Sequence, residues 1–438
     1  NSIDTAKAQS SEPADGVMTT ASGNTVTIKN GATVSGYDVH IAGYGVDLSS
    51  TTGNISKISA ATTLNVVNGV TINNDGSKLV REPAVERGRF SRDTASVVTV
   101  NESPSSALID MPTDGNVVSG SIRYKGNDYT SESDYYFNLA SRDTIATNSH
   151  SVINWNSFDI CLNGVLNFDT TSGALLNRVT GSYESWLKGT LNHTGSYPLL
   201  LVNPNGIHIY KGASINATNL LLSGLVMTND AFSAYATSGT AAFDTTSTGA
   251  VNVETGITFA NRVTDQLALV GKKVDVAENT ISAETLSVNA TDTATLTDLT
   301  YTGTLKGNNL LDSNGGALSI SSGTYSGAAN LKGTTVNMSV ESHTGDITAH
   351  GTNVTLSGGT HSGGDISLQG NSVTMSGITF DNEDKDITLA GLGANGSVNV
   401  TNSTITAKDV GFTGKTVSIS QLGSTPATWK VNTFKLGK

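Results

Sequence analysis

The chain is poor in charge, proline and cysteine. Of its 438 residues 14% are charged, seven are proline and one is cysteine. A single Cys cannot form an intramolecular disulfide, nor does it supply the set of thiolates around which a metal site could form. The acidic excess, 37 Asp and Glu against 25 Lys and Arg for a net charge of −12, excludes the basic footprint typical of nucleic-acid-binding domains.

Long hydrophobic runs and helical patterns are also scarce. No apolar stretch approaches the ~18 residues that indicate a transmembrane helix, so the sequence predicts no transmembrane segment. The chain is instead rich in Thr, Ser, Asn, Gly, Val and Ile. Val, Ile and Thr favour strands, whereas Gly, Asn and Ser favour turns. This composition predicts an all-β protein.

Short alternating strands recur along the C-terminal third of the chain. One series opens at Asp346, Asp365, Asp386 and Asp409, and a second begins at Val336, Val354, Val373, Val398 and Val417. Successive members are about 18 to 25 residues apart, and a unit of that size buries its apolar face only by stacking on its neighbours. The sequence therefore predicts a right-handed parallel β-helix, or solenoid, that rises about 4.8 Å per coil.

The same spacing divides the rest of the chain. We predict a disordered N-terminus at 1–20. An N-terminal extension follows at 21–115, with β-helical repeats at Val26, Val46, Leu64 and Val70 and a charged loop at 76–93. The aromatic residues between 124 and 137 indicate extra-helical β-hairpins that lie against the solenoid. A motif-rich block at 116–240 and further β-helix repeats at 241–438 complete the division.

Asn203-Pro204-Asn205-Gly206 forms the clearest local motif. Asn at the first position, Pro at the second and Gly at the fourth are the preferred residues of a type I turn, and the side chain of Asn203 can close an Asx-turn. The apolar run Leu199-Leu-Leu-Val202 precedes the turn, and Ile207-His-Ile209 alternates after it. The segment therefore predicts a buried strand, a tight turn and a half-buried strand.

Several motifs in this order resemble the secretion domain of two-partner secretion exoproteins, of the filamentous-haemagglutinin and high-molecular-weight-adhesin type. Together these motifs cover roughly a fifth of the chain, and their order and spacing carry the resemblance. They are Val152-Ile-Asn-Trp155-Asn-Ser-Phe158, Val165-Leu-Asn-Phe168, Ala174-Leu-Leu-Asn177-Arg178-Val179-Thr180, Leu187-Lys-Gly189, Asn203-Pro-Asn-Gly-Ile207, Gly212-Ala-Ser-Ile-Asn216, Leu222-Ser-Gly-Leu225 and Asn229-Asp-Ala-Phe232.

The resemblance implies a function and a partner. In such proteins the unfolded chain reaches the periplasm of a Gram-negative bacterium. The periplasmic recognition domains of a partner outer-membrane β-barrel transporter capture it, here through 140–235. The chain then folds outside, on the cell surface or in the medium. We therefore expect the secretion domain and β-helical stalk of a large adhesin, whose ligand on a host cell or another bacterium stays open.

The chain departs from the family in one respect. The motif block begins near Asp143, after more than a hundred residues, whereas in most members it lies close to the mature N-terminus. Two other functions stay open on the sequence. One is the delivery rod of a contact-dependent inhibition toxin or cytolysin, whose effector would lie beyond Lys438. The other is a polysaccharide-acting β-helix enzyme, which needs clustered carboxylates in a groove.

The candidate site residues have two interpretations. In the functional one, the transporter recognises a surface shaped by Asn177, Arg178, Asn203, Pro204, Asn205, Gly206 and Ile207. In the structural one, which we favour, the same residues hold the turn, and Arg178 bonds turn carbonyls or pairs with an acid. Trp155 and Phe158 form the core of the motif block in either case.

Other chemistry-bearing residues favour structural roles. Cys161 follows an apolar strand and is expected to pack inward. His343, His350 and His361 fall on neighbouring coils but lack metal-ligand spacing, and the aspartate series is expected to accept backbone amides rather than bind Ca²⁺. The Asn-x-Ser/Thr sequons reflect composition. We therefore predict no catalytic residues, no cofactor, no metal and no enzymatic activity.

Overall fold

A computed structural model describes residues 111–132, 136–261, 263–311, 315–420 and 429–437, together with the backbone of eight strands before residue 111. The chain divides into two compact units, Asn1–Leu108 and Ile109–Lys438. The predicted charged loop at 76–93 lies outside the described residues, as does most of 1–20, where two short strands are described. Among the described residues, no helix combines the length and apolar character needed to cross a membrane.

The first unit contains parallel strands in two sheets. Its strands are β1 (Ser2–Ile3), β2 (Gly16–Thr19), β3 (Thr25–Ile28), β4 (Thr33–Ala42), β5 (Gly45–Asp47), β6 (Lys57–Val66), β7 (Thr71–Asn74) and β8 (Val100–Glu102). Val26 lies opposite Val46, which lies opposite Ile72. The sequence placed Leu64 in this same series, but Leu64 lies in the other sheet, opposite Val39. Both rows alternate with period two, so the pattern alone does not distinguish the faces of a coil.

The second unit holds the remaining strands and the helix α1 (Asn229–Ser238). The strands up to this helix are β9 (Asn116–Ser119), β10 (Ser121–Tyr124), β11 (Asn127–Thr130), β12 (Arg142–Thr147), β13 (Ser151–Trp155), β14 (Val165–Asp169), β15 (Leu175–Val179), β16 (Ser185–Leu187), β17 (Thr190–Thr194), β18 (Leu199–Val202), β19 (Ile207–Ile209), β20 (Ser214–Asn216) and β21 (Asn219–Ser223). After it come β22 (Val251–Val253), β23 (Thr258–Asn261), β24 (Val263–Val276), β25 (Asn279–Thr297), β26 (Leu299–Gly307), β27 (Ala317–Ser321), β28 (Thr324–Ser326), β29 (Ala329–Ser339), β30 (Ser342–Ser357), β31 (Thr360–Ser376), β32 (Thr379–Asn382), β33 (Ile387–Gly391), β34 (Ser397–Thr401), β35 (Thr404–Thr413), β36 (Thr416–Ser420) and β37 (Trp429–Gly437).

Parallel pairing between successive coils confirms the β-solenoid that the sequence predicts. His343 lies opposite His361, 18 residues on, and Val373 lies opposite Val398, 25 residues on. The predicted repeat of about 18 to 25 residues is therefore confirmed here. The coil that carries α1 is longer, because helix and flanking loops separate Ile207 from its partner Val251.

The solenoid core is built by alternation within each short strand. In β34 the side chains of Val398 and Val400 are buried, whereas their neighbours point outward. Stacked coils place such inward side chains in continuous columns, and the buried aromatic residues Phe168, Phe380 and Phe412 are among the largest of them. Each coil therefore completes the core of its neighbours.

A second, smaller core lies on the outer face of the solenoid. Leu200 and Val202 point out of β18, and α1 covers them with Phe232 and Tyr235. All four side chains of β18 are buried, because one face of the strand meets the solenoid core and the other meets this cover. The continuous apolar run of the sequence is the expected signature of such two-sided burial.

Antiparallel strands close the N-terminal edge of the second unit. The β9 strand pairs antiparallel with β13, and β10 pairs antiparallel with β12 and forms a hairpin with β11. These are the hairpins that the aromatic segment indicated. They satisfy the backbone groups of the first solenoid coil, whose edge would otherwise be open for pairing with another chain.

Candidate functional site

The Asn-Pro-Asn-Gly turn joins β18 to β19. The amide of Gly206 donates to the carbonyl of Asn203 at 3.0 Å, which closes the four-residue turn. The amide of Asn205 donates to Oδ1 of Asn203 at 3.0 Å, the predicted Asx-turn. Gly206 adopts φ of +129°, a region that favours glycine. The sequence therefore specifies the local path of the chain here without help from distant residues.

The two asparagine side chains also tie this turn to the preceding coil. Nδ2 of Asn203 donates to the carbonyl of Tyr183 and to Oγ of Ser185, both at 2.9 Å. Nδ2 of Asn205 donates to the carbonyl of Gly181 at 2.8 Å. Asn203 is fully buried, Asn205 is half-buried, and Ile207 is buried at the start of β19. Pro204 is half-buried, so this turn presents Pro204 and Asn205 outward.

Asn177 lies inside the solenoid rather than on its surface. Its Oδ1 accepts a hydrogen bond from Nε1 of Trp155 at 3.0 Å, and its Nδ2 donates to the carbonyl of Leu200. Trp155 and Phe158 are buried with their rings edge to face, 5.8 Å between centroids. Asn177 thus satisfies the indole N–H, which a buried tryptophan requires, and joins three consecutive coils.

Arg178 points outward and holds α1 against the sheet. Its Nε donates to Oδ1 of Asn154 at 2.9 Å, and its Nη1 donates to the carbonyl of Met227 at 3.3 Å and to Oδ1 of Asn229 at 2.9 Å. Burial lowers the pKa of this guanidinium from its ordinary value. The arginine therefore bonds a carbonyl just before the helix, not one of the turn, and no acid pairs with it among the described residues. In the sheet Arg178 lies opposite Val202, the residue directly before the turn, while its guanidinium bonds to the start of the helix.

Two features of this block escaped the sequence interpretation. The first is α1, although Thr228 at its N-cap and Gly239 in the left-handed conformation at its C-terminus are recognisable signals. The second is a row of outward aromatic side chains beside the turn. Trp186 stacks on His208 with 4.3 Å between ring centroids and 6° between planes. The alternation of Ser185-Trp-Leu187 and Ile207-His-Ile209 could have placed both rings on the outer face.

The other chemistry-bearing residues take structural places. Cys161 is buried. The amide of Asp365 donates to Oδ1 of Asp346 at 2.9 Å, and Asp386 and Asp409 continue this ladder. The aspartates thus accept backbone amides, as expected. Within the described part of the chain, no three His, Cys, Asp or Glu side chains come together as a metal site.

The three C-terminal histidines separate into a pair and a single residue. His343 and His361 are buried on consecutive coils, 6.2 Å between ring centroids, and Nε2 of His361 lies 3.0 Å from the carbonyl of Gly358. His350 is exposed on the outer face of β30. Burial is the larger cause and the neighbouring His361 the smaller one, and together they lower the pKa of His343 to about 4. The pair is therefore neutral at pH 7.

Comparison with known proteins connects this block to one family. A family model described as the TPS secretion domain matches residues 138–368. The heme/hemopexin-binding protein of Haemophilus influenzae is 44% identical over 71 residues, which are 16% of this chain and 8% of that protein. The chain thus spans less than a tenth of the length of that relative.

Two solved structures are also similar. The HMW1 secretion domain from Haemophilus influenzae aligns with 74% of this chain and 100% of its own, at 16% identity and a TM-score of 0.37. The filamentous hemagglutinin secretion domain aligns with 75% of this chain and 100% of its own, at 14% identity and a TM-score of 0.24. Both scores are low, so the assignment depends on the family model, which matches more than half of the residues. The chain belongs to the family of TPS secretion domains.

Proposed function

We propose that this chain is the secretion-directing domain, with the first part of the β-helical stalk, of a large exoprotein. A partner outer-membrane β-barrel transporter of a Gram-negative bacterium exports it to the cell surface or the medium. The observation that carries the proposal is the family match, which begins at 138 and includes the Asn-Pro-Asn-Gly turn and its neighbouring coils. In this proposal the block at 116–240 directs secretion and 241–438 extends the stalk.

The transporter's periplasmic domains recognise the block through the turn, in our proposal. Asn203, Gly206 and Ile207 are buried, so they act by fixing the shape of the turn, and the buried Asn177 joins the coils next to it. Pro204 and Asn205 are available to a partner. Because bonds to Gly181 and Tyr183 hold the turn in place on the preceding coil, these coils pair when the block is captured. The remaining coils then add outside, each on the open edge of the last.

The whole exoprotein acts as an adhesin for a host-cell or bacterial ligand in this proposal. The heme and hemopexin binding named for the similar protein is not included, because the similarity covers 8% of that protein. No catalytic role is assigned either. In the aspartate ladder, which would be the natural acidic cluster for a polysaccharide-acting enzyme, one oxygen each of Asp346, Asp365 and Asp386 accepts the amide of the next aspartate.

Secretion with and without the partner tests the proposal. The chain is expressed in a Gram-negative host, alone or with the transporter encoded beside it, and its release to the medium is measured. In Asn205→Asp, a carboxylate replaces an amide that donates to three oxygens, those of Gly181, Tyr183 and Asn203. We therefore expect release to fall about tenfold, the effect of losing a central contact. Asn399→Asp, at an exposed position outside the matched residues, is the matched control and should be released normally.

The proposal is supported if release requires the transporter and if Asn205→Asp is not released while Asn399→Asp is. That result supports both the partner and the role of the turn. Equal release without any transporter would overturn the proposal, because the motif block would then be a structural part of the solenoid only. The unfolding midpoint of the purified variant shows whether a loss of release reflects recognition or misfolding.

A further inference from the structure

An exposed surface continues directly from the turn along two neighbouring strands. The β16 and β19 strands leave the turns at 181–184 and 203–206 side by side, with Trp186 opposite His208. Lys188 and Tyr210 follow at the ends of the two strands. We call Trp186, Lys188, His208 and Tyr210 the aromatic strip. It lies on the outer face of the solenoid, because Leu187 and Ile209 take the inward positions.

The rings of the aromatic strip are held in place before any partner arrives. Trp186 stacks on His208, and its ring centroid lies 6.3 Å from that of Tyr210. Nζ of Lys188 lies 5.5 Å from the centroid of Trp186 and 5.9 Å from that of Tyr210, within the usual range of cation–π contacts. Tyr210 is nevertheless 39% exposed. Side chains that are already ordered lose little conformational entropy when they bind.

The charges around the strip indicate what a partner would offer. Nε2 of His208 lies 3.7 Å from Oε1 of Glu254, whose other oxygen accepts the amide of Lys211. Among the described residues Lys188 has no ion pair, and its ammonium group lies over the rings of Trp186 and Tyr210. A cation without an ion-pair partner attracts a carboxylate at short range. Rings beside it favour an apolar side chain in the same partner.

We propose that the aromatic strip is a docking surface for the periplasmic part of the transporter, which presents a carboxylate to Lys188 and an apolar side chain to Trp186 and Tyr210. This inference rests on the proposed function, because it assigns the same partner a second contact. Its basis is the charge of Lys188 and the continuity with the turn: Asn205, at the outward side of the turn, bonds to the coil from which β16 begins. Trp and Tyr are also the side chains that most often dominate binding at protein interfaces.

Binding of the purified full chain to the purified periplasmic part of the transporter tests the inference. Tyr210→Ser and Lys188→Glu change the strip. Tyr197→Ser, at a tyrosine of nearly equal exposure (37%) in another turn, and Lys408→Glu, at an exposed lysine of β35, are the matched controls. We expect the strip variants to bind about tenfold more weakly and the controls to bind within about twofold of the unchanged chain. The Lys188 effect should shrink at high salt, as screening predicts.

The result distinguishes this inference from the proposed function. If the unchanged chain does not bind the transporter and is released without it, the proposed function fails. If the unchanged chain binds but the strip variants match their controls, the docking surface alone is overturned. Tyr197, Tyr210 and Lys408 are exposed and Lys188 is half-buried, so we expect the substitutions to change stability little. An unfolding midpoint within experimental error of the unchanged chain excludes misfolding as the cause of weaker binding.

Discussion

Asn203, Asn279 and Asn308 are buried, and each side chain bonds to backbone groups of more than one segment. Asn308 accepts from the amide of Ala290 and donates to the carbonyls of Gly316 and Lys332. The side chain of Asn279 accepts a hydrogen bond from the amide of Ile257 and donates to the carbonyls of Glu254 and Ala277. A neutral amide can do this inside a core, whereas a charged side chain would carry a large desolvation cost. This explains how a chain with few charges joins its coils through polar groups.

Removing the Asn203 amide should destabilise the turn. Asn203→Ala deletes the acceptor of the Asn205 amide and the donor to the hydroxyl of Ser185. It also removes one of the two amide donors to the carbonyl of Tyr183. Each buried polar group left unpaired costs about 1–3 kcal/mol, so we expect the free energy of unfolding to fall by about 2 kcal/mol or more. Urea unfolding measures it. Asn399→Ala, at an exposed position, should change it by less than about 0.5 kcal/mol.

Acid should weaken the coils that contain the histidine pair. The pKa of His343 is lowered to about 4 by burial and by His361, and burial also lowers the pKa of His361. The unfolded chain therefore binds protons more readily than the folded chain. The stability that the two neutral histidines contribute is fully present above about pH 6.5 and is lost as the pH falls toward 4. We expect the urea midpoint to drop over this range. His343→Phe should remove about 3 kcal/mol of that pH dependence, because the pKa falls from 6.5 to about 4 and each pKa unit corresponds to about 1.36 kcal/mol.

The exposed histidine of the same strand provides the control. His350→Gln removes an exposed imidazole from the same strand and leaves the buried pair in place. The buried His193, whose pKa is also lowered to about 4 by burial, contributes equally in all three proteins. An unchanged pH dependence in His343→Phe would contradict the prediction.

At the scale of elements, α1 depends on the sheet beneath it. The helix has ten residues, of which Phe232 and Tyr235 are buried, and isolated helices of this length are marginal in water. Its contacts are therefore what keep it folded. Arg178 bonds Asn229 at its start and the carbonyl of Met227 just before it. The arginine of the motif block thus contacts an element whose first residue, Asn229, lies 51 residues later in the chain.

Arg178→Ala should loosen this helix without unfolding the solenoid. The substitution removes the bonds to Met227 and Asn229, and each hydrogen bond from a charged group contributes about 1.5–3 kcal/mol at most. We expect amide hydrogen exchange of 229–238 to accelerate about tenfold, while 360–376 keeps its protection. Arg142→Ala, at an exposed arginine of β12, should leave exchange of the helix unchanged. Equal protection of 229–238 in Arg178→Ala and in the unchanged chain would contradict the role of Arg178 in holding the helix.

At the scale of the second unit, stability should vary from coil to coil. Repeat proteins approximate a one-dimensional stack in which each coil depends on its neighbours. Trp155 is fully buried beneath the antiparallel strands, whereas Phe434 and Leu436 in the last strand, β37, are 40% and 62% exposed. Among the described residues, the strand that carries Trp429 pairs with β35 on one side and with no strand on the other.

Tryptophan fluorescence can detect this gradient. In variants that retain only Trp155 or only Trp429, with the other tryptophans replaced by Phe, we expect Trp429 to report a lower urea midpoint than Trp155. The physical reason is that terminal coils lose contacts on one side and fray first. Coincident midpoints would show that the unit unfolds as a single cooperative body.

The sequence alone determined the fold class, the repeat and the turn. Alternation within short strands specifies which side chains face inward, and Asn, Pro and Gly specify the path of the turn, so both depend on near neighbours only. The apolar run before the turn also indicated a buried strand, although it did not reveal that a helix covers the outer face of that strand.

Only the tertiary structure decided which distant residues meet. Arg178 bonds to Met227 and Asn229. His343 lies opposite His361, not beside His350. Leu64 pairs outside the series to which its pattern assigned it. Such contacts depend on the number of residues in each coil, which is 18 from His343 to His361, 25 from Val373 to Val398 and 44 from Ile207 to Val251. The alternating pattern specifies which side chains face inward and so restricts the register, but it does not specify which outward side chains of distant segments meet.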